Sequence, residues 1–208
     1  MIKYKEIKRI LPRLEKAWTA VSSVPNYQGK NEKLNNIVKS INQIDNRVSS
    51  GLNILDIGCN NGVVCSALSC HFDNVIGIDM VKDFYDKAVK TKTIFTKEGY
   101  NLSNVKIKNI TFKNYVESGQ FDADDITAIC VSRVLYHMEN DEIDLLKTLM
   151  DRLKTVIVGV NIKHKKPTNS QDLISLKGIR GFFTSYELIE KQTFFTDSIL
   201  PVIIFARK

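Results

Sequence analysis

No apolar run in the 208-residue sequence approaches the ~20 residues that a membrane-spanning helix needs. The longest candidate, Ile199 to Ala206, is strand-sized. The opening residues, Met1 to Glu6, lack the apolar core of a secretory signal. Cysteine is scarce: the four residues Cys59, Cys65, Cys70 and Cys130 contain no Cys-x-x-Cys pair, so no metal site is expected. All but Cys70 lie in apolar stretches, where cysteine behaves as a small buried hydrophobe. Proline and glycine, at 4 and 10 residues, exclude collagen-like composition, and no repeat or heptad period runs through the chain. These features predict a cytoplasmic protein with no membrane partner.

What is present fits one globular domain with a short extension. Apolar residues make up 43% of the chain and charged residues 25%, ordinary for a packed domain. A chain of this size buries roughly 70% of its unfolded surface, so it needs no staple. The net charge of +7 is unevenly spread. Residues 1–50 hold 10 basic and 4 acidic side chains, residues 51–150 hold 10 and 14, and residues 151–208 hold 10 and 5. Basic ends around an acidic middle point to an anionic partner at the ends, or to a solvated lysine-rich surface.

Hydrophobic spacing divides the chain into two parts. Ile7, Ile10, Leu11, Leu14 and Trp18 recur at helical spacing, with Pro12 expected to break or restart that helix. Val24 to Gly29 reads as a loop, and a second helix is expected from Asn31 to about Val48. From Gly51 the pattern alternates. Strands are predicted at Asn53–Ile57, Val75–Ile78, Val105–Ile110, Ile126–Val131 and Val156–Val160, separated by helical segments. A helix is expected over Ser185–Lys191, then two apolar runs, Thr193–Phe195 and Leu200–Ala206. The gap between those runs is too short for a helical crossover, so the pair must be antiparallel. The predicted architecture is α/β: a doubly wound, mostly parallel seven-stranded sheet closed by a C-terminal antiparallel hairpin. Residues 1–50 are expected to form a helical lid and residues 51–208 the core.

The strongest motif is Ile54-Leu55-Asp56-Ile57-Gly58-Cys59-Asn60-Asn61-Gly62, at the first strand-to-helix turn. In a doubly wound sheet that turn lies at the ligand-binding carboxyl edge. Gly58 allows a sharp turn, and Asn60 stands where many nucleotide loops have a second glycine. A dinucleotide site needs G-x-G-x-x-G, whereas only Gly58 and Gly62 are present, and a P-loop lysine is missing. Asp56 would be awkward beside a pyrophosphate and suits an ammonium group. S-adenosylmethionine has an amino-acid end, a cationic sulfur and no phosphate.

Together with Gly77-Ile78-Asp79 at the end of the second strand, this motif resembles the class I S-adenosylmethionine-dependent methyltransferases. The resemblance extends from Gly51 to the closing Ile203-Ile204-Phe205-Ala206-Arg207-Lys208. It implies that Gly58, Cys59, Asn60 and Gly62 line the methionine moiety, that Asp79 binds the ribose hydroxyls, and that Met80 packs on the adenine. The family often places an acidic residue after strand three. Here Asn109, or a backbone group at Ile110, is what remains for the adenine amine.

On the acceptor side, strand four leads into Ser132-Arg133-Val134-Leu135-Tyr136-His137-Met138, the loop that in this family faces the transferable methyl. Ser132 is assigned to the cofactor side. His137 is the natural general base, since an imidazole titrates near ~6.5, with Tyr136 shaping the pocket and Arg133 holding an anionic acceptor. The motifs of amino-methylating nucleic-acid enzymes and of cytosine carbon-5 methylation are both missing. After strand five, Lys163 and Lys165 open a basic loop suited to phosphate contacts. With the basic N-terminal helix they would form an electrostatic funnel. The expected function is methyl transfer to an oxygen or nitrogen of an anionic acceptor, RNA or a nucleotide slightly favoured. A small metabolite as acceptor, or a non-catalytic binding subunit, are the alternatives.

Overall fold

A computed structural model describes residues 2–21, 37–160, 171–194 and 201–208. The loop expected at residues 24–29, the start of the second helix and the basic residues Lys163 and Lys165 lie outside these segments. The strands are β1 (Asn53–Ile57), β2 (Asn74–Asp79), β3 (Val105–Asn109), β4 (Ile126–Ser132), β5 (Thr155–Gly159), β6 (Leu188–Phe194) and β7 (Val202–Arg207). They form one seven-stranded sheet in the order β3-β2-β1-β4-β5-β7-β6. The first five are parallel, and β7 runs antiparallel to both β5 and β6. The doubly wound sheet and its antiparallel hairpin are therefore as the apolar runs predicted.

Central strands read as continuous apolar runs because both faces are covered. On one face lie α1 (Tyr4–Val21), residues 37–41, α2 (Val63–Leu68) and α3 (Lys82–Lys97). On the other lie α4 (Phe112–Glu117), α5 (Gln120–Ala123), α6 (Asn140–Leu149) and α7 (Leu176–Thr184). Strand alternation then sets the fate of each β1 residue. Ile54 packs in the first layer and Leu55 and Ile57 in the second, so Asp56 shares the face of Ile54 and α2.

Pro12 does not break α1. Pro12 and Lys8, whose carbonyl a proline cannot bond, are both exposed, so that oxygen faces solvent rather than the core. The helix runs unbroken through that position, with its buried stripe from Ile7 to Trp18 packed in the core on both sides of it. The second helix ends earlier than its apolar spacing implied. The α-helical residues stop at 41, and Asp45 caps a separate 3-10 turn, Asn46–Val48, by accepting the Arg47 amide at 2.9 Å. The expected helix over Ser185–Lys191 is a correction. The helix ends at Thr184, and Leu188–Phe194 is strand β6, because pairing with β7 outweighs the helical preference of Glu-Leu-Ile-Glu-Lys.

α1 runs antiparallel to α3. Trp18, fully buried, donates its indole N–H to Thr91 Oγ1 at 2.8 Å, and Arg9 and Arg13 both reach Glu98 just past the end of α3. Thr91→Val should cost about 1–2 kcal/mol in a denaturant titration, because it leaves the indole N–H buried without an acceptor. A loss no greater than that of an exposed Thr→Val control would refute this.

Candidate cofactor and acceptor site

The strand order reverses between β1 and β4, which opens a crevice at their carboxyl ends. Three left-handed residues shape the loop after β1: Gly58 at φ 67°, Asn60 at 49° and Gly62 at 73°. At Gly62 a side chain is excluded twice over. Besides the positive φ, a Cβ would lie 2.9 Å from Ala88 Cβ and 3.0 Å from its backbone Cα, so α2 and α3 meet through this residue. The loop is tied to β2 as well: the Cys59 amide donates to the Ile78 carbonyl at 2.9 Å.

Asp79 ends β2 and fastens the crevice floor. Its Oδ2 accepts the Asn60 amide and its Oδ1 the Val81 amide, each at 2.9 Å. Burial pushes its carboxyl above the usual range, and these two amides pull it back. Each carboxylate oxygen keeps further accepting capacity beyond its one amide. Beside it Met80 stands 71% exposed, an apolar side chain without packing of its own. Asn109 is aligned with Asp79 in the β2–β3 register and donates its amide to the Asp79 carbonyl at 2.8 Å. The Ile110 amide donates to the same carbonyl at 3.2 Å.

Asp56 occupies a different environment. It is 1% exposed and accepts the Cys65 thiol at 3.1 Å, with the Cys130 thiol also bonded to it. Cys59 points inward to the same cluster and is 4% exposed, so its backbone, not its thiol, faces the crevice. Burial raises the Asp56 carboxyl to about 7; the thiols oppose the shift and the charge on Asp79 adds to it. The neighbouring thiols are themselves held protonated, Cys65 chiefly by its bond with Cys59 and Cys130 by burial. This cage joins residues from β1, α2 and β4, and nothing in the local sequence announces it.

The loop after β4 packs directly onto the first glycine. A Cβ on Gly58 would strike Val134 Cγ2 at 2.5 Å, a contact the motif reading did not anticipate. Ser132 sits opposite Gly159, whose missing Cβ leaves room for the Ser132 hydroxyl. Arg133 follows at φ 63°, strained for a non-glycine residue, with its amide on the Gly159 carbonyl at 2.8 Å. Its guanidinium is largely desolvated, which lowers its pKa. Tyr136 is buried, and its ring lies 4.5 Å from the exposed His137 ring. Arg133, Tyr136 and His137 are thus neighbours on the loop whose Val134 abuts Gly58.

A crevice at the carboxyl edge of a doubly wound sheet, with a strand-end carboxylate at its floor and an exposed apolar side chain next to it, is the geometry of a nucleotide- or nucleoside-binding α/β fold. The methyltransferase-domain family matches residues 7–191, and the chain belongs to it: this is a class I S-adenosylmethionine-dependent methyltransferase domain. A curated relative is the ubiquinone biosynthesis O-methyltransferase of Rickettsia bellii (strain OSU 85-389), 29% identical over 122 residues, or 59% of this chain and 45% of the relative. The chain therefore spans less than half the length of that protein. Among solved structures, the N-methyltransferase NodS of Bradyrhizobium japonicum WM9 with S-adenosyl-L-homocysteine superposes at TM-score 0.62 and 15% identity, covering 94% of this chain and 97% of NodS. The magnesium protoporphyrin IX methyltransferase of Synechocystis PCC 6803 superposes at 0.60 and 11%, covering 97% of each. At such identities the likeness is one of fold.

Proposed function

We propose that this domain methylates an oxygen or nitrogen of an anionic small molecule. The observation that carries the reading is the clustering of Arg133, Tyr136 and His137 on one loop in contact with Gly58. S-adenosylmethionine, when bound, supplies a methyl group on a cationic sulfur. The side chains that fit it are Asp79 for the sugar, Met80 and Asn109 for the base, and the backbone from Gly58 to Gly62 for the amino-acid end. Arg133 attracts the anionic group of the acceptor and Tyr136 limits the pocket. Alignment of the acceptor atom provides most of the acceleration, and His137 takes a proton only where the acceptor atom carries one. In this reading residues 1–50 remain the lid of the core, of which α1 covers the α3 side of the sheet. The packing of α1 along α3 through Trp18 and Glu98 supports that.

RNA, slightly favoured by the charge map, is less well supported than a small acceptor. Glu98 engages Arg9 and Arg13 beyond the far end of α3. The 16 residues of α3 span roughly 24 Å from the Asp79 end, so these cations do not reach the crevice mouth. The similarity to a ubiquinone O-methyltransferase favours the same choice. Labelled-methyl transfer from S-adenosylmethionine to fractionated cell extract tests it: label is expected in the small-molecule fraction, and label confined to RNA would overturn this acceptor class. His137→Ala should lower kcat about tenfold or more while leaving donor affinity within about twofold. Equal losses in both would make His137 a structural residue.

A further inference from the structure

In a doubly wound sheet the chain leaves β1 toward one layer of helices and leaves β4 toward the other, so the two loops part at the crevice. Here Val134 bridges them. The loop after β4 is anchored at its start by the Arg133 amide on the Gly159 carbonyl, 2.8 Å, and further on by the buried Leu135, Tyr136 and Met138. Val134 lies between these anchors and turns its isopropyl group onto Gly58. A Cβ at Gly58 would lie 2.5 Å from Val134 Cγ2, 3.5 Å from Cγ1 and 3.6 Å from Cβ, so the branched end of Val134 covers that face of the glycine. A β-branched side chain has few rotamers, so a shift of Gly58 is passed to the Val134 backbone rather than absorbed in the side chain.

Both partners of this contact are tied to the groups on either side of the site. On the β1 side the loop is fixed to β2, with the Cys59 amide on the Ile78 carbonyl and the Asn60 amide on Asp79 Oδ2, both at 2.9 Å. On the β4 side the Val134 carbonyl accepts the His137 amide at 2.7 Å, which closes the 3-10 turn Leu135–His137. Val134 therefore touches Gly58 through its side chain and holds His137 through its carbonyl. A continuous path runs from the Asp79 carboxylate through the loop after β1 to the turn that carries Tyr136 and His137.

We infer that Val134 is a positioning residue that couples the two halves of the site: a nucleoside donor seated on the loop after β1 orders the turn Leu135–His137. That this turn faces an acceptor rests on the function proposed above, whereas the coupling is tested without one. The test is amide hydrogen exchange of the full chain with and without S-adenosyl-L-homocysteine, which has no methyl group to transfer. In the wild type the ligand should slow exchange at least about threefold, both at residues 58–62 and at residues 135–138. Val134→Ala should keep the slowing at 58–62, which shows that the variant is folded and occupied, and lose it at 135–138. Val134→Thr, with the same branched shape, should retain both. Slowing at 135–138 that persists in Val134→Ala would mean that the ligand reaches the turn by another route, and overturns the coupling. So does a wild type protected at 58–62 and not at 135–138. No protection at 58–62 in the wild type removes the donor site, and the coupling with it. Failure of methyl transfer in cell extract, with the exchange pattern intact, would count against the acceptor reading and not against the coupling.

Discussion

Asp79→Ala is expected to weaken S-adenosylmethionine binding by at least about 100-fold. In the proposed donor site the carboxylate accepts two ligand hydroxyls, and each charge-assisted bond is worth about 1.5–3 kcal/mol. Alanine also releases the amides of Asn60 and Val81, each now held at 2.9 Å, so the loop after β1 loses its tie to β2. Asp79→Asn separates the two effects. It retains one accepting oxygen and should recover part of the affinity, whereas a purely electrostatic role would leave it as weak as alanine. Calorimetry on both variants gives the answer. An alanine variant binding within threefold of the wild type would remove Asp79 from the cofactor site.

Asp56→Asn should stabilise the protein at pH 8 and do little at pH 4. The carboxyl is raised from an ordinary 3.8 to about 7 by burial. The folded state therefore holds a proton that the unfolded chain has released between those values. That stabilisation is complete below about pH 4 and lost as the pH rises through 7, with a ceiling on the order of 4 kcal/mol. Asparagine keeps an oxygen for the Cys65 thiol and carries no charge, so its stability should lack this slope. Other carboxyls, Asp79 among them, titrate in both proteins, and the difference between variant and wild type isolates Asp56. Denaturant midpoints measured at pH 4, 6 and 8 would show a gap widening with pH. A constant gap would mean that the cage does not hold the proton.

The elements carrying the donor site were legible because their signals are local. β1 and β2 are bounded apolar runs that end on aspartate or on Ile-Gly, and the glycines after β1 take the left-handed angles their position demanded. α6 carries its own local signal too: Asp141 and Glu142 lie in its first turn, and Glu139 forms the capping box with Glu142. Where distant partners decide, the sequence was silent. β6 is a helix former locally and becomes a strand only by pairing with β7, while α7 was hidden by its two internal glycines. The Asp56 cage joins residues 56, 65 and 130, and no spacing rule relates them.

The placement of β7 has a consequence for synthesis on the ribosome. β6 precedes β7 in the chain, yet β7 separates it from β5. When β6 leaves the exit tunnel neither of its edges has a partner, and the free edge of β5 is not the one it will join. Until β7 follows, the nascent chain carries an unpaired β6 and the open edge of β5, the state in which chaperone capture or intermolecular pairing competes with folding.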